Sequence, residues 1–156
     1  MTQLSTHFSL KEMIVSGTAK RLGIDNTPPP DVQRNLVRLT AELEKVRTLT
    51  GKPLKVLSGY RSPKVNKAVG GSAKSYHMQG CAADFDPPAG MTHDALQKAI
   101  GQASAIDFDL VLEERAKDGA HWLHFQIPLP GKKGRRKLAD AELDKQGGAI
   151  KRLTPG

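Results

Sequence analysis

Cysteine is nearly missing from this chain of 156 residues: Cys81 stands alone, which excludes an internal disulfide framework and a cysteine-built metal cage. Aromatic residues make up only 4%, too few for the stacking platforms that hold single-stranded nucleic acids. No run of about 18 apolar residues occurs, so the sequence offers no membrane span. The first residues, Met1 to His7, contain neither a basic nor an apolar block, and no secretory signal is expected. Internal repeats are also lacking, which leaves one ordinary domain. What is present in excess is positive charge. Lys and Arg number 24 against 16 Asp and Glu, a net +8, with Lys132, Lys133, Arg135, Arg136 and Lys137 clustered late in the chain. Such an excess favours polyanionic neighbours. Anionic envelope polymers are the expected partners of that cluster. Nucleic acid is not expected, for no recognisable binding motif is present. A monomer is expected.

Patterning predicts an α+β fold: a single domain with a small antiparallel sheet and flanking helices. Ser9-Leu-Lys-Glu12 is a capping box that opens a short helix stopped by Gly17. Residues 18–30 read as a lead-in ending in three prolines. Val32, Leu36, Leu39, Leu43 and Val46 recur at helical spacing and predict the longest helix, about 31–49. A strand is expected at Leu54 to Leu57, and a short helix from Ser62-Pro63 to Gly70-Gly71. Cys81 to Asp86 reads as a second strand, and Thr92 caps another helix. Phe108 to Arg115 and His121 to Ile127 read as a hairpin turning at Lys117-Asp118-Gly119. Residues 1–130 form the main body. Residues 131–156 are a basic tail of the same domain, expected to be weakly helical from Leu138 to Gln146.

The chemistry lies in two imidazoles and a carboxylate. His77 sits in a loop rich in small residues, Asp84 in the strand after it, and His124 in the later hairpin. Neighbouring strands lie about 4.8 Å apart, so these side chains can converge on one ion. An aspartate between Ala83 and Phe85 in a half-buried strand is costly without a partner, and a cation is one. Three protein ligands suit Zn2+ with its fourth position free for water, the arrangement of a catalytic site, and so of a hydrolase.

These residues fall in a wider pattern: Ser58-Gly-Tyr-Arg-Ser62, then Asn66 and Gly70-Gly71, then Ser75-Tyr-His-Met-Gln-Gly-Cys-Ala-Ala-Asp84, then Trp122-Leu-His124. It resembles the zinc peptidases of bacterial peptidoglycan. These include D-Ala-D-Ala carboxypeptidases and dipeptidases and phage L-alanyl-D-glutamate endopeptidases, and the hedgehog signalling domain shares their metal site. The upstream Phe8-Ser-Leu-Lys-Glu12 and Gly23-Ile-Asp-Asn26 are similar to the phage branch. The resemblance covers roughly residues 7–128.

The resemblance implies zinc on His77, Asp84 and His124, and a role for Arg61 in stabilising negative charge on the scissile carbonyl. It gives Ser75 to substrate or to loop orientation. Trp122 is open to two readings, a cleft wall or a core residue. Three residues contend for the general base. Glu114 aligns with the family's carboxylate, His121 stands where some relatives carry an acid, and Glu113 is the third. A two-residue turn at Asp118-Gly119 sets Glu113 opposite His124, whereas a loop one residue longer puts Glu114 on His124's face, and the sequence leaves both open. The implied substrate is a peptidoglycan stem peptide, cut at D-Ala-D-Ala or at L-Ala-D-Glu. The expected setting is a phage or prophage endolysin, made in the bacterial cytoplasm and acting on the periplasmic wall after release. A non-catalytic peptidoglycan-binding or phage structural module on the same fold is the alternative.

Overall fold

The computed structural model describes residues 2–143 and the backbone of 150–155. Local chemistry sets most of the helix ends. Ser9 Oγ accepts from the Glu12 N–H to open α1 (Leu10–Ile14). Gly17 does not end the first helical region, as the sequence suggests, but starts α2 (Gly17–Leu22). Ser16 Oγ caps it by accepting from the Ala19 N–H, and Gly23 closes it at φ 67°. A serine one residue before a glycine makes a helix start that glycine alone does not advertise. The long helix α3 (Pro30–Thr50) has proline in its first turn and Gly51 at its end, and it buries Val32, Leu36, Leu39, Leu43 and Val46. Then come β1 (Lys55–Ser58), α4 (Pro63–Ala68), a 3-10 turn at Tyr76–Gln79, β2 (Ala82–Asp86) and α5 (His93–Gln102). The chain ends with β3 (Leu110–Arg115), β4 (His121–Gln126), β5 (Lys137–Leu143) and β6 (Ile150–Pro155).

The strands form one sheet in the order β1-β2-β4-β3-β5-β6. Its pairs are antiparallel except β3 with β5, which run parallel. That parallel pair corrects the expected tail. Residues 137–143 are strand, not helix, and the remainder of the expected helix, 144–146, lies outside the described residues. Lys-Leu-Ala-Asp-Ala-Glu-Leu has ordinary helix formers, yet Ala139, Ala141 and Leu143 are buried at a period of two. A free sheet edge at β3 overrides local propensity.

The sheet has two different faces. On one, Phe85, Val111, Leu123 and Phe125 pack with Leu36, Leu39 and Leu43 of α3 and with Leu96 and Ile100 of α5. Each such side chain contributes about 1.5–3 kcal/mol by leaving water. On the other face lies a small cluster, Leu110, Leu112, Ala139 and Ala141, and beside it the cleft described next.

Candidate functional site

Strand register brings the site together. Asp84 lies directly across from His124 in the β2–β4 pair, so their side chains share the face opposite the main core. The 3-10 turn carries His77 to the same place. Ser75 Oγ caps that turn by accepting from the His77 N–H, and Gly80 closes it at φ 72°. The ligand atoms of His77, Asp84 and His124 all lie within 4.8 Å of one another. Asp84 Oδ1 is 3.3 Å from His77 Nε2 and 3.0 Å from His124 Nδ1.

The Ser-Gly-Tyr-Arg-Ser segment is the second support. His77 Nδ1 is 2.7 Å from the Gly59 carbonyl, an acceptor, so this nitrogen carries the ring hydrogen and Nε2 turns a lone pair toward Asp84. Gly59 has no room for a side chain: a Cβ there would collide with the Met13 carbonyl oxygen. Asn26 clamps the segment from outside. Its amide donates to the Ile14 and Tyr60 carbonyls, and its Oδ1 accepts from the Ser62 N–H. Asn66 and Gly71 pack as a unit, with Asn66 Nδ2 donating to the Ser72 carbonyl and the Asn66 carbonyl oxygen accepting from the Gly71 N–H.

Two imidazoles and a carboxylate thus converge on one buried point, where the charge of Asp84 needs a positive partner. His77 is 2% exposed, and burial holds its pKa below the ordinary value despite Asp84. Burial alone would raise Asp84, but the two imidazoles prevail and hold its carboxyl far below the usual carboxylate range. Burial likewise opposes charge on His124, yet the hydrogen bond and charge of Asp84 outweigh it and push the imidazole up to about 9. The donor set, two nitrogens and one carboxylate oxygen in a buried cluster, fits a divalent transition metal.

The hairpin places the three candidate bases on different faces. Arg115 pairs with His121 and Leu112 with His124. The connecting loop is three residues, Lys117 to Gly119, closed by the Ala116 N–H donating to the Ala120 carbonyl and by Gly119 at φ 94°. Glu114 therefore shares His124's face. It is 6% exposed, and its Oε1 accepts from Trp122 Nε1 at 2.9 Å. Burial raises its pKa, with Asp84 adding to the rise and His124, Trp122 and Arg61 opposing it.

His121 and Glu113 must be corrected as candidates. Alternation turns both to the other side of the sheet, where His121 stacks on His93 with ring centroids 3.6 Å apart and lies 3.2 Å from Glu113. Glu113 is occupied by Arg115. Neither lines the cleft.

That cleft encloses about 560 Å³. Arg61, Ser75, Glu114 and Trp122 line it beside the three candidate ligands, and Leu110, Leu112 and Leu143 supply an apolar side. Arg61 is half-buried, and its Nε has no hydrogen-bond partner among the described residues. Its Nη2 reaches Ser75 Oγ only at 3.5 Å. Burial lowers its pKa, while Asp84 and Glu114 oppose the change. Of its two readings Trp122 takes the first: it is half-buried outside the core clusters and lines the cleft, with one edge holding Glu114.

Sequence reasoning missed three residues. Gln126 Oε1 is 2.8 Å from His124 Nε2, Gln126 Nε2 donates to Asp109, and Arg135 forks onto Asp109. A signal for Gln126 was present: two residues past His124 in a strand, it shares that face. Nothing linear links Asp109 to Arg135. Of the late basic cluster, Arg135 and Arg136 have internal partners, Arg136 donating to the Ile106 and Ala103 carbonyls.

No helix among the described residues is long and apolar enough to cross a membrane. No curated protein matches the chain. A family model described as Peptidase M15 matches residues 6–117, a stretch that holds His77 and Asp84 and stops short of His124, which the sheet register supplies. With most of its length matched and the motifs in place, the chain belongs to the peptidase M15 family and is a metallopeptidase at that level.

Proposed function

We propose that the chain is a zinc peptidase of peptidoglycan stem peptides, cutting at D-Ala-D-Ala or L-Ala-D-Glu in the role of an endolysin. The observation that carries this reading is the inward-facing His77, Asp84 and His124 cluster with the buried carboxyl of Glu114 in the same cleft. Zinc held by those three residues would supply Lewis acidity, polarising a carbonyl and acidifying water.

The chain's own groups supply the rest. Glu114, held by Trp122 and raised by burial, takes a proton from the attacking water and returns it to the leaving amine. Arg61 keeps guanidinium hydrogens uncommitted at the cleft, ready for negative charge that develops on the carbonyl oxygen. Ser75 braces the His77 turn and lies beside Arg61, where it can accept a peptide N–H. Leu110, Leu112 and Leu143 present an apolar wall to side chains such as alanine.

The test uses full-length protein, zinc and synthetic stem peptides ending in D-Ala-D-Ala or carrying L-Ala-D-Glu, with products read by mass spectrometry. Cleavage of one bond, lost with chelator and restored by zinc, is expected. Zinc uptake with both peptides left intact would overturn the enzymatic reading and favour a binding module on the same fold.

A further inference from the structure

A line of side chains runs from the protein surface to His124. Asp109, 4% exposed and just before β3, accepts from Arg135 three times: from the backbone N–H at 3.1 Å, from Nε at 3.0 Å and from Nη2 at 2.8 Å. The Asp109 carboxyl is lowered below the usual carboxylate range, Arg135 and Gln126 outweighing the effect of burial. Ionised, it has no hydrogen to give, so Gln126 must turn its amide nitrogen toward Asp109, where the contact is 2.9 Å. The other end of that amide is then an oxygen, and it lies 2.8 Å from His124 Nε2. An acceptor facing a ring nitrogen requires a hydrogen on that nitrogen. His124 Nδ1 is left to face Asp84 Oδ1 at 3.0 Å.

We propose that Arg135, Asp109 and Gln126 are positioning residues of the metal centre, holding the His124 ring in place and its hydrogen on Nε2 so that Nδ1 is the nitrogen offered to the ion. The inference rests on the metallopeptidase reading and extends it to a segment beyond the family match. The loop carrying Arg135 is seated firmly: a Cβ at Gly134 would collide with the Phe108 carbonyl oxygen. An arginine that composition assigns to a solvated patch thereby acts on a ligand through two intermediates. Groups that orient metal-binding histidines in this way are worth about 10- to 100-fold in metal affinity.

Polarity makes the proposal testable apart from mere packing. Asp109→Asn removes the carboxylate that orients Gln126, and zinc affinity, read by competition with a chromogenic chelator, is expected to fall about 10- to 100-fold. Adding Gln126→Glu restores the direction of the line: the introduced amide donates, the introduced carboxylate accepts from both sides, and most of the affinity returns. A purely structural role predicts that the double variant is worse than the single. Gln126→Leu provides a variant with Asp109 and Arg135 intact, and it too should lose affinity. Independently of zinc, the His124 Nε2–H should give a slowly exchanging low-field proton resonance in the metal-free protein, absent in Gln126→Leu. Asp109→Asn at wild-type affinity, no recovery in the double variant, or an unchanged resonance in Gln126→Leu would each overturn the inference. Failure of the wild type to take up zinc while the resonance behaves as expected would instead overturn the metallopeptidase reading.

Discussion

Replacing Glu114 with Gln keeps the volume and the Trp122 hydrogen bond but removes the only carboxylate, apart from the candidate ligand Asp84, that lines the cleft among the described residues. General-base groups of this kind contribute about a hundred- to ten-thousandfold, or about 2.7–5.4 kcal/mol of transition-state free energy. Because Glu114 is not among the three inward-facing donors, zinc stoichiometry should be unchanged. The loss should fall on kcat, with KM moving little. His121→Ala is the control, since its ring stacks on His93 across the sheet from the cleft; its kcat should stay within a small factor of wild type. Single-turnover hydrolysis of a stem peptide, followed by chromatography and paired with zinc analysis of each variant, makes the comparison. Equal losses in the two variants, or near-wild-type kcat in Glu114→Gln, would refute the assignment and the strand parity behind it.

Gly59→Ala drives a methyl against the Met13 carbonyl oxygen. It should cost about 1–3 kcal/mol through overpacking and weaken zinc binding by displacing the carbonyl that orients His77, as thermal melts and chelator competition would record. Leu39→Ala empties a fully buried position on α3 and should lower stability by about 2–5 kcal/mol in urea titrations, without altering zinc stoichiometry. Asp109 has a folded pKa below its unfolded value, so its stabilising contribution is full above about pH 4 and lost as pH falls through the folded value. The stability gap between wild type and Asp109→Asn should therefore shrink from about pH 6 toward about pH 2.5, and a constant gap would contradict it.

The helices and the site were legible to different degrees. The apolar period of α3 with Gly51 behind it, and Thr92 before α5, make those helices readable, whereas α2 has a capping Ser16 and a closing Gly23 but buries only Ala19 and so lacks the apolar period. His77, Asp84 and His124 were legible because two motifs carry them, Ser75 to Asp84 holding the first two and Trp122 to His124 the third, and the sheet pairs Asp84 with His124 directly. The β5 strand was not legible, since its pairing depends on the edge that β3 leaves open. Local composition carries no record of an edge. The line from Arg135 to His124 fails for the same reason: its members come from a loop, a strand end and a distant tail, 26 and 17 residues apart for its two Asp109 contacts.

The placement of the two glutamates shows how far a pattern reaches. In β4 the alternation is readable, with Leu123 and Phe125 buried in the main core and Trp122 and His124 turned to the cleft. β3 reads Leu-Val-Leu-Glu-Glu-Arg, with its first five residues buried, because the helices cover one face and β5 flanks the small apolar cluster on the other. A strand apolar on both faces gives no parity of its own. Parity must come from the partner strand and the loop between them, and one residue of loop length decides whether Glu113 or Glu114 meets His124. The observed register buries Val111 against Phe125 in the core; the alternative would turn Val111 and Glu113 toward the cleft and set Leu112 against Phe125 and Glu114 against Leu123. A leucine would then replace a valine in the core and one glutamate the other, so apolar burial within β3 scarcely separates the two registers. The three-residue loop closed between Ala116 and Ala120, rather than any property of the carboxylates, determines which glutamate stands in the cleft.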